Sequence, residues 1–188
     1  MPQRIGRIVN SEVGDLMFIA DTALRRKIED AIEMISVLYL LEKQEHLPQV
    51  FLKENRRIII LYSAAIIEAI LLYVVKKKRW TIERTSYKNV SALPNNYQLD
   101  SKSTLVVAKQ VQETRSEKEL MLDVVLRTCL EKGVINLHLK PKIEKAKNVR
   151  NTFHLSKSRK GLNCTLSSAN QSFDAVLETI MQSRKFLK

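Results

Sequence analysis

Apolar residues recur with helical spacing from Ser11 to about Glu45, through Val13, Leu16, Met17, Ala20, Leu24, Ile28, Ala31, Ile32, Ile35 and Tyr39. This spacing predicts one long helix or two nearly collinear ones. Pro48, in the stretch EHLPQ, permits a new start, and the next helix is expected to continue to about Lys78. Two long helices joined by a tight turn make an antiparallel helical hairpin.

The period then changes. RWTIERTSY and TLVVAKQVQETR are rich in Thr, Val, Ile and aromatic residues, and LPNNYQLDSKS between them is turn chemistry. A β-hairpin or extended excursion is therefore expected over about 80–115. Two strands alone are marginal in water, so this piece needs to pack on the bundle or on a partner.

Helical spacing resumes at Ser116, where SEKE has the form of a capping box, with Ser116 as N-cap and Glu119 reaching back. The helix carries Leu120, Met121, Val125, Leu126 and Cys129 and is expected to stop at Gly133. After the connector VINLHL, a helix is predicted from near Pro141 to about Ser158. Ser168 and Gln171 are expected to cap a last helix, whose apolar face is Phe173, Val176, Leu177, Ile180 and Met181. The fold class is all-α: a helical bundle of about five helices with an inserted β-hairpin or extended segment, forming a single domain over 1–188.

Composition narrows the class. Four Gly and four Pro are too few turn formers for a sandwich of short strands. Cys129 and Cys164 are isolated, and the N-terminal MPQRIGRIVNSEV lacks secretory character, so a reducing, cytoplasmic setting is expected. His46, His138 and His154 are scattered and there is no Cys-x-x-Cys, so neither a metal site nor a cofactor is expected.

Residues 58–75, IIILYSAAIIEAILLYVV, are apolar enough to raise the question of a membrane span. Glu68 lies near the middle, where a lone carboxylate would cost about 2.5–3.5 kcal/mol, and basic clusters flank both ends. The central helix of a bundle, surrounded by other helices, is the better expectation, with no membrane partner.

The formal net charge is +12 and the pI about 9.8, which suits a polyanion such as RNA, a solubility surface, or the basic half of a protein complex. Between His138 and Lys160 there are eight Lys or Arg and one acidic residue, Glu144. Within this stretch, KAKNVRNTFHLSKSRKG holds Arg150, Asn151 and His154 among lysines. On a helix, Ile143, Ala146, Val149 and Phe153 mark the buried side, while Lys147, Arg150 and His154 form a polar seam at its margin and Lys145, Thr152 and Ser156 face out. A guanidinium can hold a phosphate bidentately, and an imidazole can move the 2′-hydroxyl or leaving-group proton. Asn151 can support either group. Equally, Arg150 can bridge to Glu68, Asn151 can bond backbone, and His154 can cap a neighbour.

In order along the chain, YSAAIIEAILLYVV, LMLDVVLRTCLEKGVI and VRNTFHL resemble the HEPN superfamily of small helical domains, in particular bacterial members with an Arg-Asn-x-x-His-Leu or His-Pro signature. The resemblance covers most of 55–160. It implies a four-helix-type bundle, commonly a homodimer, that cleaves RNA without metal. Arg150 would bind the scissile phosphate, His154 would act as acid or base, and Asn151 would support them. Glu68 would be an internal partner of the motif helix, and Lys147, Lys157, Arg159 and Lys160 would bind RNA. Two departures stand out. Three residues separate Arg150 from His154, fewer than in proven nucleases, and Ser156 stands where nucleotidylated toxin members carry Tyr.

The expected function is a metal-independent endoribonuclease, a toxin or defence effector, with a neutralising or complex protein partner also open. The alternative is a non-catalytic HEPN-like module that binds RNA or a protein. DNA binding ranks third, because no helix-turn-helix is recognisable.

Overall fold

The structure, a computed structural model, describes residues 13–44, 46–92, 106–116, 119–152 and 164–188. The chain is mostly helical. Among the described residues, a 3₁₀ segment over Val13–Phe18 precedes five helices: α1 (Thr22–Leu41), α2 (Gln49–Lys77), α3 (Leu122–Glu131), α4 (Leu139–Asn151) and α5 (Leu166–Leu187). Strands β1 (Glu83–Ala92) and β2 (Val106–Thr114) fall between α2 and α3. The chain divides into two compact units, a helical one (Met1–Lys78 with Leu122–Lys188) and a hairpin one (Arg79–Met121).

In the helical unit α2 is the central element, with α1, α3, α4 and α5 all packed against it. This explains its nearly continuous apolar run. Ile59, Ile60, Ala64, Ile67, Ile70, Leu71 and Val74 are buried on several sides of the helix. By length and composition α2 could cross a membrane, and 56% of its most apolar window is buried inside the protein. Lys76 and Lys77 in the last turn oppose the negative end of the helix dipole. Arg79 then adopts a left-handed conformation, φ 54°, and the helix ends.

The first predicted helix is interrupted. The chain forms a 3₁₀ segment, and α1 starts afresh at Thr22 because the Asp21 carboxylate accepts the Leu24 N–H at 3.0 Å. Helical periodicity continues through the break, so Leu16 and Ile19 are still fully buried. Tyr73 of α2 fixes this segment, its hydroxyl accepting from Ala20 N–H (2.9 Å) and donating to Phe18 O (3.1 Å). At the other end of α1, Asn55 Nδ2 donates to the Leu38 carbonyl (2.9 Å) and to Glu42 (2.8 Å), and Arg56 Nε donates to Glu42 at 2.9 Å. The Leu38 carbonyl and the Glu42 carboxylate at the end of α1 are thereby bonded by side chains of α2, which ties the turn between them.

Two further boundaries differ from expectation. Glu119 does accept from Ser116, from its N–H at 2.8 Å and its hydroxyl at 2.9 Å, and α3 begins at Leu122. The N-cap of α5 is Thr165, whose hydroxyl accepts the Ser168 N–H at 3.1 Å, and Ser168 is already inside the helix. The end of α3 is as expected. Gly133 at φ 72° sits in a Schellman arrangement, with Val134 N–H bonded to Cys129 O (2.8 Å) and Gly133 N–H to Leu130 O (3.1 Å).

The inner face of α5 is small as well as apolar. Ala169, Ser172, Ala175 and Thr179 are buried alongside Phe173, Val176 and Ile180, while Met181 is 54% exposed. Ser172 and Thr179 return their hydroxyls to carbonyls four residues back, at 2.9 and 2.7 Å. Short side chains let the backbones of α5 and α2 approach.

Cys129, fully buried, has its thiol pushed up to about 12 by desolvation. Its folded pKa lies above the unfolded value of about 8.5. Stability from the neutral thiol is therefore complete below about pH 8.5 and declines as pH rises towards 12. Cys129 is expected to resist maleimide at neutral pH in the native protein and to label on unfolding, which mass spectrometry reads directly.

The hairpin unit is an antiparallel pair in register from Glu83↔Thr114 to Lys88↔Lys109, with an irregularity between Lys88 and Ser91. Its described side chains are largely exposed, including Tyr87, Val106 and Val107. Glu113 is held below the usual carboxylate range by its bond to Lys88, and Glu119 by its bonds to Ser116. The turn LPNNYQLDSKS lies outside the described residues.

Candidate functional site

Helix α4 displays its residues in the order its spacing dictates. Ile143, Ala146 and Val149 are buried, which leaves Lys147 and Arg150 on the flank and Lys145 outside. The described helix ends at Asn151, and its expected continuation to about Ser158 lies outside the described residues. Thr152 caps it by donating both its N–H (3.2 Å) and its hydroxyl (2.8 Å) to the Val149 carbonyl. Of the predicted seam, Lys147 and Arg150 lie on the described part of this helix. His154, Lys157, Arg159 and Lys160 lie outside the described residues, as do Phe153 and Ser156.

Arg150 Nη1 is ion-paired with Glu68 Oε2 of α2, and their side chains keep 30% and 28% of their surface exposed. The guanidinium is thus held at the border between core and water. It carries five N–H donors, and Glu68 takes the bond from Nη1. Beside it, Arg57 Nη2 approaches the Thr152 carbonyl at 3.5 Å, and Asn151 is exposed at the last helical position. Arg57, Arg150 and Asn151 all belong to the C-terminal end of α4 and its surroundings, directly before the segment that carries His154.

Tertiary pairing redistributes the charge that the sequence concentrates here. Lys142 is paired with Glu178 of α5, Lys147 with Asp123 of α3, and Lys140 with Glu144 at 3.7 Å. Lys145 donates to the Gln171 amide at 2.9 Å. Four of the five cations on α4 therefore meet carboxylates, three of them on other helices. Lys147 in particular serves as a strut between α4 and α3, with its side chain 15% exposed. Most of the positive charge of α4 is thus met by carboxylates within the fold.

Asp123, Glu178, Arg57 and the Glu42–Asn55–Arg56 group were not singled out by sequence spacing. Their partners sit on other helices, and only Arg56 and Arg57, the basic pair that precedes the apolar run of α2, carried any local signal. Among the described residues no group of three or more His, Cys, Asp or Glu side chains is arranged to hold a metal ion. Compared with protein-family models, curated proteins and solved structures, the chain matches none.

Proposed function

We propose that the helical unit is a metal-independent endoribonuclease of HEPN type, acting in the cytoplasm on single-stranded RNA as a toxin or defence effector. The observation that carries this is the placement of Arg150, oriented by Glu68 at a part-exposed helix end, with donors left for a phosphate. In this scheme Arg150 binds the scissile phosphate and stabilises the charge that builds on its oxygens. The 2′-oxygen attacks phosphorus, the bond to the 5′-oxygen breaks, and His154 takes the 2′-proton or delivers one to the leaving oxygen. Asn151 supports the pair. Lys157, Arg159 and Lys160 supply the electrostatic attraction, and Lys147 contributes to the field while bracing the helix.

This chemistry has a signature in its products. Fragments are expected to end in 2′,3′-cyclic phosphate, and 2′-O-methyl RNA of the same sequence is expected to remain intact. Mass spectrometry of the digestion products reads both results. Cleavage of the methylated strand would rule out attack by the 2′-oxygen.

The second reading is a non-catalytic HEPN-like module that binds RNA or a protein. It draws on the pairing of Lys140, Lys142, Lys147 and Arg150 with carboxylates, which makes α4 a strut between helices. Arg150 would then be a polar lock, and its loss would weaken the fold without touching any chemistry.

A further inference from the structure

The hairpin unit has no buried core among its described residues. Between Arg79 and Met121 none of them is buried, and Tyr87, Val106 and Val107 are 65%, 52% and 57% exposed. Two strands in that condition are marginal in water and gain stability from further pairing. The ladder shows where pairing is open. Arg115 N–H donates to Ile82 O at 2.7 Å, and the register runs on as Glu83↔Thr114, Arg84↔Glu113 and Thr85↔Gln112. Bonded and non-bonded pairs alternate in an antiparallel ladder, so Arg84–Glu113, Ser86–Val111 and Lys88–Lys109 exchange the bonds between the strands. The backbone N–H and C=O groups of Gln110, Gln112 and Thr114 therefore point away from β1. Among the described residues these outward groups have no backbone hydrogen-bond partner.

We propose that β2 is a docking edge that takes an extended segment of a partner protein as a third strand, with a carboxylate of that segment beside Lys109. The two edges of the hairpin are not equivalent. From Lys88↔Lys109 to Ser91↔Val107, β1 advances three residues and β2 two, so the bulge lies on β1 and blunts that edge. Strand β2 continues over Val106–Thr114 without a Pro. Charge selects the occupant. Lys88 and Lys109 stand directly opposite each other, an arrangement that costs stability. Lys88 is paired with Glu113, whereas Lys109 is exposed and pairs with no carboxylate among the described residues. Alternation places Lys109 between Val107 and Val111 on one face of β2, with Ala108, Gln110 and Gln112 on the other. A fitting strand carries Asp or Glu opposite Lys109, apolar residues opposite Val107 and Val111, and uncharged polar residues between them. Main-chain bonds to Gln110 and Gln112 supply affinity, and the alternate side chains supply choice. The edge lies wholly within the hairpin unit and is independent of whether the helical unit cleaves RNA.

The test is a titration of the full chain into a labelled peptide, Thr-Lys-Thr-Val-Thr-Glu-Thr-Val-Thr, read by fluorescence anisotropy. Laid antiparallel on β2, this peptide sets its Glu opposite Lys109, its two Val opposite Val107 and Val111, and its Lys opposite Glu113. The wild type is expected to bind it, and the amides of Gln110 and Gln112 should gain protection from hydrogen exchange. Lys109→Glu relieves the like-charge pair with Lys88, so the hairpin is kept, yet it should weaken binding by about tenfold. A peptide with Lys in place of its Glu should restore binding to that variant. N-methylation of the peptide at the Thr opposite Gln110 removes a main-chain donor to the edge and should weaken binding by about tenfold. N-methylation at its Glu, whose N–H points away, should change little. A peptide that fails to bind the wild type would overturn the proposal, as would binding indifferent to the charge reversal or to the site of N-methylation. So would single-stranded RNA that protects the Gln110 and Gln112 amides where the peptide does not.

Discussion

Ile67→Ala should destabilise the helical unit by about 2–5 kcal/mol, the range for removing a branched side chain from a packed interior. Ile67 is fully buried on α2, the helix against which α1, α3, α4 and α5 all pack. A void there cannot be filled by rotating one neighbour, since each adjacent helix is also held by polar ties. Glu42 clamps α1 to α2, Glu68 clamps α4 to α2, and Glu178 clamps α4 to α5. For a chain of this length the melting temperature should fall on the order of 10 °C. Val50→Ala on the same helix is the control. Val50 is 76% exposed, and its loss should cost no more than about 0.5 kcal/mol. Thermal melts of both variants check this, and equal effects would contradict a central role for α2.

Arg150→Ala should lower the rate of RNA cleavage by about 10²–10³-fold, the usual penalty for losing one donor aimed at developing charge. Its effect on stability should be no more than about 1 kcal/mol, because the pair with Glu68 is only part-buried and solvent screens it. The contrast between the two numbers carries the inference. A guanidinium that merely locks α4 to α2 would show the opposite pattern, with a lower melting temperature and unchanged RNA turnover. Glu68→Gln refines the test. It removes the carboxylate charge while keeping an acceptor for Nη1, so Arg150 keeps a partner but loses its firm orientation. Cleavage should fall by less than in Arg150→Ala, and the double variant should be no worse than Arg150→Ala alone. Additive losses would mean that the two residues act separately.

The architecture was legible where the physics is local or strongly periodic. The apolar run of α2, the change of period into the hairpin, and the stop at Gly133 each rest on a side-chain pattern or a backbone requirement that the sequence displays. Helix starts were harder to read. Asp21 caps α1 within a stretch whose apolar spacing suits one long helix as well as two, so periodicity did not place the break, and Thr165 caps α5 three residues ahead of the expected Ser168. At Ser116 the local capping geometry formed as written, but a turn satisfies it as well as a helix does. The pairing of Arg150 with Glu68 was legible, and the neutralisation of the charge around it was not. Seven surplus cations between His138 and Lys160 look like a focused patch until Glu68, Asp123 and Glu178 arrive from elsewhere in the chain. Long-range neutralisation of that kind leaves no mark on a local count.

The central claim is that this chain cleaves RNA with its own side chains, led by Arg150 and His154. The most direct measurement is the cleavage rate of a single-stranded RNA by the purified protein in excess chelator, compared among the wild type, Arg150→Ala and His154→Ala. The account predicts cleavage by the wild type and its loss in both variants while their helical spectra stay unchanged. Equal rates in all three proteins would contradict it, as would a wild type that binds the RNA and leaves it whole.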